Sequence, residues 1–207
     1  MYLDPSYHNG VIESPSLTQV AANIYSAGFW TEEFCEELIK LVKYKNIKKE
    51  DIEYNDMIPA DDTPINHISS TLFHDYCKHY KQWIFPLLKE VFCLPHPPES
   101  WFLGWQQPNI ARFSPEGTSS IFPHFDFGVI SHSIKLNDNF KGGLLKFNLQ
   151  NYDNGVLPIG HMLIWPSGIT HMHEVTKVEQ GEKYSFVNWS LMPNYMGKNQ
   201  IRLNEIS

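Results

Sequence analysis

Two polar side chains, with one residue between them in the sequence, have the types and spacing of a metal site. His124 and Asp126 stand at the start of a predicted strand, and strand side chains alternate between two faces, so we expect both to point the same way. An imidazole from a distant strand would complete two histidines and one carboxylate. Such a set covers one face of an octahedral Fe(II) ion and leaves the opposite positions open, whereas zinc prefers four tetrahedral ligands. The pair predicts a non-haem iron site, although His-x-Asp alone arises by chance in many chains.

The third imidazole can come from either of two later histidines. His171 and His173 share one face of a predicted strand, and their spacing does not choose between them. Lys183 follows as a fixed cation that is suited to holding the distal carboxylate of a small organic acid. Ser185 shares its face by alternation, so its hydroxyl can donate to the same carboxylate. An iron triad with a carboxylate clamp is what a 2-oxoglutarate-dependent oxygenase needs.

These residues belong to a longer pattern that resembles the 2-oxoglutarate- and Fe(II)-dependent hydroxylases of the prolyl and lysyl hydroxylase group. The pattern of that group runs from His-x-Asp through a Gly-Gly strand and a Pro-Ser/Gly turn to His-Glu and Gly-x-Arg/Lys-Tyr. The matching segments here fall in the same order: Gly142 to Phe147, Trp165 to Gly168, His173-Glu174 and Gly181 to Tyr184. Because the iron-binding histidine of that group precedes a glutamate, the resemblance assigns the third ligand to His173.

The resemblance runs from about residue 20 to residue 191 and is greatest to the catalytic domain of procollagen lysyl hydroxylases. It includes Arg112-Phe113-x-Pro115 before the first ligand and the helix that contains Ile84-Phe85-Pro86. Lys183 departs from that branch, since lysyl hydroxylases have Arg there and collagen-type prolyl 4-hydroxylases have Lys. The helix matches therefore favour lysine as the acceptor, and Lys183 favours proline.

The resemblance implies an enzyme that binds Fe(II) through the three ligands and uses 2-oxoglutarate and O2, with ascorbate as a further candidate cofactor. Lys183 and Ser185 would hold the 5-carboxylate of 2-oxoglutarate. The expected reaction hydroxylates a protein side chain, first of all lysine in collagen-like sequence, and releases succinate and CO2. A prolyl 4-hydroxylase-like activity and a small-molecule acceptor are the alternatives. A lysine acceptor would need an anionic residue near the mouth of the site, for which the candidates are Asp56, Asp61, Asp62 and Glu174.

Interpretations of another class stay open. The domain could be a binding module without turnover, against which the intact triad argues, or a cupin-like metalloprotein, in which Lys183 would have no role. Asp126 could be incidental beside a pair of strand histidines, and Lys183 could be an exposed strand lysine. We expect Arg112, His132 and His171 to have structural or supporting roles.

Length and charge bound the remaining questions. The chain has 207 residues, 42% of them hydrophobic, which fits one domain over residues 1–207 with an N-terminal arm over 1–20 and a catalytic core over about 21–192. A net charge of −7 argues against binding nucleic acid or anionic membranes. Three cysteines without short-spaced pairs favour a reducing compartment. The first residues do not form a signal peptide, so we expect a cytoplasmic or viral or microbial intracellular protein, with a homodimer as one assembly to consider.

Helical signals come first and strand signals follow. Thr31 is a candidate N-cap of a helix that ends in the lysine-rich stretch 43–49, residues 50–66 predict a loop, and residues 72–92 predict a helix or helix pair that Pro86 kinks or splits. A short strand is expected over 23–27 and a linker turn over 95–100. The later strands are expected over 101–106, 109–113, 125–136, 143–149, 161–165, 171–178 and 183–191. This order predicts an α+β fold, in which a double-stranded β-helix (jelly-roll) core has N-terminal helices packed on one sheet.

Overall fold

The computed structural model describes residue 10 and residues 15–47, 61–93, 102–103 and 108–191. Its helices are α1 (Glu32–Lys45), α2 (Ile65–Ile68), α3 (Ser70–His79) and α4 (Phe85–Phe92), with a π-helical turn over Tyr80–Ile84 and a 3-10 turn over Ile169–His171. Its strands are β1 (Thr18–Ala21), β2 (Ile24–Gly28), β3 (Asp61–Pro64), β4 (Phe102–Leu103), β5 (Asn109–Phe113), β6 (Ile121–His124), β7 (Ile130–Lys135), β8 (Phe140–Gly142), β9 (Leu145–Phe147), β10 (Tyr152–Asp153), β11 (His161–Pro166), β12 (His173–Val175), β13 (Val178–Gly181) and β14 (Lys183–Leu191). None of the helices within these ranges combines the length and the apolar character needed to cross a bilayer.

Two antiparallel sheets form the core of the described structure. The main sheet has the strand order β1-β2-β11-β7-β14-β5-β3, and β4 also pairs with β14. The minor sheet has the order β10-β9-β12-β6, and β8 pairs separately with β13. Apolar side chains from both sheets, including Phe113, Leu163, Phe147 and Val175, form one cluster between them. This arrangement is the jelly roll that the sequence predicts.

The N-terminal helices cover the other face of the main sheet. Trp30 and Tyr76 pack on Phe186 of β14, with ring centroids 5.0 and 4.6 Å away. Leu38 of α1 and Ile134 of β7 are fully buried in the same cluster. The sequence-based expectation that the helices pack on one sheet is therefore correct.

The first helix has the ends that its sequence predicts. The Thr31 hydroxyl accepts a hydrogen bond from the Phe34 amide at 3.2 Å, which satisfies one of the free N–H groups of the first turn. The helix stops at Lys45, within the predicted lysine-rich end, because Asn46 takes a left-handed conformation with φ 43°.

Pro86 does not split the second helical segment. A proline lacks the N–H and its ring collides with the carbonyl four residues earlier, here that of Gln82. The chain avoids this collision with the π-helical turn directly before α4, so α3, the turn and α4 follow without a break. The turn places Tyr80 in the core, where it is fully buried.

The loop predicted over residues 50–66 is wrong at its C-terminal end. Asp61–Pro64 forms β3, which pairs with β5 at the edge of the main sheet, and α2 follows directly. Two acidic residues and a proline hide this strand in the sequence, but an edge strand tolerates a proline. The rest of that loop and the predicted turn over residues 95–100 lie outside the described residues, as does most of the strand predicted over residues 101–106.

Three other strand predictions are too long. The strand predicted over 125–136 begins at Ile130, and residues 125–129 form a loop. The strand predicted over 143–149 shrinks to β9, because Gly142 and Gly143 have φ values of 73° and 63° and break the chain direction between β8 and β9. The strand predicted over 171–178 consists of the end of a 3-10 turn, β12 and the start of β13.

Candidate metal centre

Three potential metal ligands converge between the two sheets. One side-chain ligand atom each from His124, Asp126 and His173 lie within 4.8 Å of one another. His124 ends β6 and His173 begins β12, and the two residues are direct partners in the minor sheet. Asp126 lies in the loop after β6, so the predicted alternation along one strand is not what brings it to His124. The loop turns its carboxylate toward both imidazoles, at 3.8 Å from Nε2 of His124 and 3.6 Å from Nε2 of His173.

Backbone carbonyls orient both imidazoles. Nδ1 of His124 lies 2.9 Å from the Phe122 carbonyl oxygen, and Nδ1 of His173 lies 2.9 Å from that of His171. A carbonyl oxygen only accepts hydrogen bonds, so each Nδ1 carries a proton and donates. The Nε2 atoms, through which both imidazoles can bind a metal ion, then face Asp126.

The surroundings of His173 keep its imidazole neutral. Burial lowers the pKa of His173, and this effect outweighs the nearby Asp126 carboxylate, which acts in the opposite direction. Phe147 and Trp165 enclose the ring, with centroid distances of 5.4 and 5.2 Å. His124 stays partly exposed, with 21% of its side chain accessible, so the cluster can be reached from one side. Two imidazoles and one carboxylate fit the facial set that non-haem Fe(II) prefers.

A buried cation lies in the same cavity. Lys183 and Ser185, on one face of β14, line the cavity together with the three potential ligands and are 3% and 4% exposed. Burial, with a smaller effect from Lys135, lowers the pKa of Lys183 to about 7. Its Nζ lies 5.1 Å from the centre of the Phe113 ring. Among the described residues no carboxylate lies within ion-pair distance of Lys183, so this cation suits an anion that enters the cavity.

The neighbouring Lys135 is satisfied within the protein. Its ammonium donates to the Leu157 carbonyl at 2.7 Å and to the Gly155 carbonyl at 3.3 Å, and it pairs with Asp138. Of the two lysines that are buried within the described ranges, Lys183 is therefore the one placed to receive a ligand.

Other residues considered in the sequence have structural surroundings. His171 lies in the 3-10 turn, and its Nε2 donates to the Ala22 carbonyl at 3.2 Å, so it does not face the cluster. His132 is buried beside the Tyr80 hydroxyl at 2.7 Å, and burial lowers the pKa of His132 to about 3. Arg112 lies 3.7 Å from an oxygen of Asp61, in an exposed pair. These positions agree with the expectation of supporting roles.

Two polar residues near the cluster were not predicted from the sequence. The Ser131 hydroxyl bonds to Asp126 and to Ser167. A signal for Ser131 was available: Ser131, Ser133 and Lys135 alternate along β7, so three polar side chains share the face that points between the sheets. A run of polar residues on the inner face of a buried strand indicates a polar cavity. Ser167 belongs to a turn, and no periodic pattern connects it to Ser131.

Comparison with curated proteins finds procollagen lysine hydroxylases, while no family model matches the chain. The chain is 24% identical over 207 aligned residues to the multifunctional procollagen lysine hydroxylase and glycosyltransferase of Caenorhabditis elegans, in an alignment that covers 90% of this chain and 27% of the relative. It is 23% identical over 194 residues to human procollagen-lysine,2-oxoglutarate 5-dioxygenase 2, covering 88% of this chain and 25% of the relative. The chain thus spans about a quarter of the length of these relatives. The resemblance to the prolyl and lysyl hydroxylase group is confirmed.

Solved structures share the fold. A viral collagen prolyl hydroxylase from Paramecium Bursaria Chlorella virus-1, in its 2OG complex, superposes with a TM-score of 0.59 at 14% identity, covering 82% of this chain and 95% of that one. A prolyl-4-hydroxylase from Pseudomonas putida superposes with a TM-score of 0.57 at 16% identity, covering 82% and 92%. At these identities the likeness shows the fold alone, and it confirms the predicted jelly-roll class.

Proposed function

We propose that this chain is an Fe(II)- and 2-oxoglutarate-dependent dioxygenase that hydroxylates a side chain of a polypeptide, with lysine as the acceptor and succinate and CO2 as products. The observation that carries the proposal is the cavity itself, in which a two-histidine, one-carboxylate cluster and a buried lysine cation face the same space. A metal cluster alone would fit many metalloproteins, and a buried lysine alone would fit many anion sites. Together they match the needs of a reaction that couples a metal ion to a dicarboxylate cosubstrate.

His124, Asp126 and His173 would hold the metal ion through the two Nε2 atoms and a carboxylate oxygen. Bound Fe(II) supplies the activation of O2 that hydroxylation of an unactivated C–H bond needs, and ascorbate is a candidate for keeping the iron reduced. The protein's own part is to hold three ligands on one side and leave the other side open. Trp165 and Phe147 contribute apolar walls that keep bulk water from the buried side of the cluster.

Lys183 and Ser185 would bind the 5-carboxylate of 2-oxoglutarate. The ammonium supplies a charge-assisted hydrogen bond, and the hydroxyl can donate a second one to the same group. Because both side chains are buried on β14 of the main sheet and two of the metal ligands lie on the minor sheet, the packing of the two sheets fixes the distance between them. This fixed distance would select a dicarboxylate of one length over shorter and longer acids.

The surface around the metal ligands favours a polypeptide over a small-molecule acceptor. Phe122, Phe125 and Phe127, here called the aromatic rim, are 67%, 37% and 65% exposed. They flank His124 and Asp126 along the chain, and the rings of Phe125 and Phe127 lie 5.5 Å apart. A small acceptor would leave these rings in water, whereas a polypeptide whose target side chain enters the cavity has flanking residues that cover them.

One of the candidate anions for a lysine acceptor lines the cavity. Asp62 is 6% exposed, lies in register with Ala111 and lines the cavity together with the potential metal ligands. Asp61 and Glu174 do not line this cavity, and Asp56 lies outside the described residues. Of the candidate anions within the described residues, Asp62 is the one that lines the cavity, and the names of the curated relatives favour lysine as the acceptor.

Succinate formation and mass spectrometry of paired peptides test the proposal. Anaerobically Fe(II)-loaded protein would be given 2-oxoglutarate, O2 and collagen-like peptides that contain either lysine or proline. We expect one added oxygen on lysine in step with succinate, and less than about 1% of this activity in Asp126→Ala. Tyr44→Ala serves as the control, since Tyr44 is exposed on α1, away from the cavity.

Three outcomes would change the assignment. Oxygen on proline alone would move the activity to the prolyl branch. Binding of Fe(II) and 2-oxoglutarate without oxidation of either peptide would favour a small-molecule acceptor. Failure to bind both would remove the oxygenase assignment itself.

A further inference from the structure

Two serine hydroxyls form a chain of hydrogen bonds behind the metal cluster. The Ser131 Oγ lies 2.5 Å from Oδ2 of Asp126, and the Ser167 Oγ lies 2.6 Å from that of Ser131. Ser131 sits on β7 with no exposed surface, and Ser167 directly follows β11, the neighbour of β7 in the main sheet. These hydrogen bonds therefore link the Asp126 carboxylate to the main sheet rather than to the loop that carries Asp126.

The chemistry of the partners fixes the direction of this chain. An ionised carboxylate only accepts hydrogen bonds, so Ser131 donates its single proton to Asp126. The Ser131 oxygen is then left with lone pairs only, and the bond to Ser167 must use the Ser167 proton. Ser167 thus donates to Ser131, which donates to Asp126, and each bond polarises the next.

The loop that bears Asp126 is held by backbone hydrogen bonds to β14 and to the turn after β11. The Val129 amide donates to the Ser190 carbonyl on β14 at 2.7 Å, and the Ser167 amide donates to the Val129 carbonyl at 2.9 Å. Gly128 passes so close that a Cβ there would lie 3.0 Å from the Ser167 Oγ. The backbone bonds fix where the loop lies, but they leave the torsion of the carboxylate free. The hydrogen bond from the Ser131 hydroxyl is the contact that fixes this torsion.

We propose that Ser131 and Ser167 are positioning residues that set the carboxylate plane of Asp126 for metal binding, with Ser167 acting through Ser131. The inference rests on the proposed function, because it takes the cluster to be a metal site. The Ser131 bond to Oδ2 holds the carboxylate in one orientation, in which Oδ1 faces Nε2 of His124 and Oδ2 faces Nε2 of His173. Loss of the Ser131 hydroxyl would free the carboxylate to rotate and to bind the ion in several ways.

Metal titration of serine variants tests the inference without any turnover. We expect Ser131→Ala to raise the dissociation constant of anaerobic Fe(II) by about 10- to 100-fold, the usual effect of losing a partner that orients a metal ligand. Ser167→Ala should give a smaller increase, and Ser167→Thr, which keeps the hydroxyl, should restore the wild-type value. The visible absorption of the Co(II)-substituted protein should shift in Ser131→Ala, since the coordination around the ion changes.

A double-mutant cycle tests whether Ser167 acts on metal affinity through Ser131 or independently of it. If Ser167 acts through Ser131, adding Ser167→Ala to Ser131→Ala changes the dissociation constant by less than about twofold. Ser26→Ala is the matched control, because Ser26 is also a buried serine of the main sheet and bonds to His161 at 3.3 Å. Its metal affinity should stay at the wild-type value, and thermal unfolding of each variant shows whether the fold is retained.

Each outcome decides the inference. Wild-type affinity and spectrum in a folded Ser131→Ala variant would overturn it, while the proposed function would stand. Additive effects in the double variant would overturn the relay from Ser167. If the wild-type protein itself binds neither Fe(II) nor Co(II), the metal site is wrong and the inference fails with it.

Discussion

Lys183 combines a buried position with a titratable amine, and this would give the proposed cosubstrate site a pH dependence. Burial lowers the pKa of the lysine to about 7 in the unliganded protein. A bound carboxylate favours the charged form and raises that pKa again. Above pH 7 the free protein must therefore take up a proton to bind 2-oxoglutarate, and below pH 7 the proton is already present.

We accordingly expect the affinity for 2-oxoglutarate to be constant below pH 7 and to fall above it, by up to about tenfold for each pH unit. Calorimetric titration of 2-oxoglutarate into protein saturated with Fe(II) under anaerobic conditions, from pH 6 to pH 9, measures this slope. Lys183→Arg is the control, since a guanidinium stays charged throughout this range and the slope should vanish. Equal slopes in both proteins would show that another group controls the binding.

Single residues also show how far the fold and the site could be predicted from the sequence. Alternation placed Lys183 and Ser185 on one face correctly, because β14 is a long regular strand. The same argument was wrong for Asp126, which leaves its strand and reaches His124 through a loop whose shape depends on contacts with β14 and β11. His173 could be preferred over His171 only through the resemblance, since the 3-10 turn that removes His171 from the cluster leaves no periodicity in the sequence.

Long helices and strands could be predicted from local sequence patterns, and short ones could not. The periodicity of α1 and the strands β5, β11 and β14 was sufficient, because many residues of one type repeat at one spacing. Strands β3 and β6 have four residues each and include a proline, so pairing partners rather than composition determine them. The π-helical turn before Pro86 has no periodicity in the sequence that would reveal it, and neither has the contact of its Tyr80 with His132.

Of the two glycines at the break between β8 and β9, Gly142 is the more crowded. Gly142 has φ 73°, and a Cβ there would lie 2.0 Å from the Lys177 carbonyl oxygen, which accepts a hydrogen bond from Gly143 at 3.0 Å. We expect Gly142→Ala to combine backbone strain with a direct clash and to lower the free energy of unfolding by about 2–4 kcal/mol. Urea denaturation at equilibrium measures this change.

A second glycine allows the effect of backbone strain to be measured without a clash. Gly168 has φ 101°, but a Cβ there would meet no atom within 4 Å. Gly168→Ala should therefore report strain alone and cost about 1–2 kcal/mol. If both variants lose the same stability, the clash with Lys177 contributes nothing. The positive φ at Gly142 is then the only reason that this position needs glycine.

In the molecule as a whole, the large apolar side chains between the layers are buried, but those beside the mouth of the cavity are exposed. The helices bury one face of the main sheet and the two sheets bury each other, yet the aromatic rim stays in water beside the metal ligands. The net charge of −7 favours a cationic partner but does not explain exposed phenylalanines. A substrate that covers the rim must therefore bring apolar groups on either side of its target residue, as an extended polypeptide does.

Truncation of the rim should weaken peptide binding and leave the chemistry at the metal unchanged. We expect the double variant Phe122→Ala/Phe127→Ala to raise the KM for a long peptide acceptor by about tenfold or more, since buried aromatic contacts are worth above about 1 kcal/mol each at interfaces. Succinate formation without acceptor and the KM for 2-oxoglutarate should match the wild type. Tyr44→Ala removes an aromatic side chain that is 71% exposed on α1 and should change neither constant.

Peptide length distinguishes a docking surface from a disturbed site. If the rim covers residues that flank the target, the rim variant loses efficiency with long peptides and matches the wild type with peptides trimmed to the target and its immediate neighbours. An equal loss at every length would instead mean that the substitutions have shifted His124 or Asp126, and a lowered affinity for the metal ion would then accompany it. Unchanged kinetics at every length would mean that the polypeptide binds another face of the protein. The exposed rings would then contact a different partner.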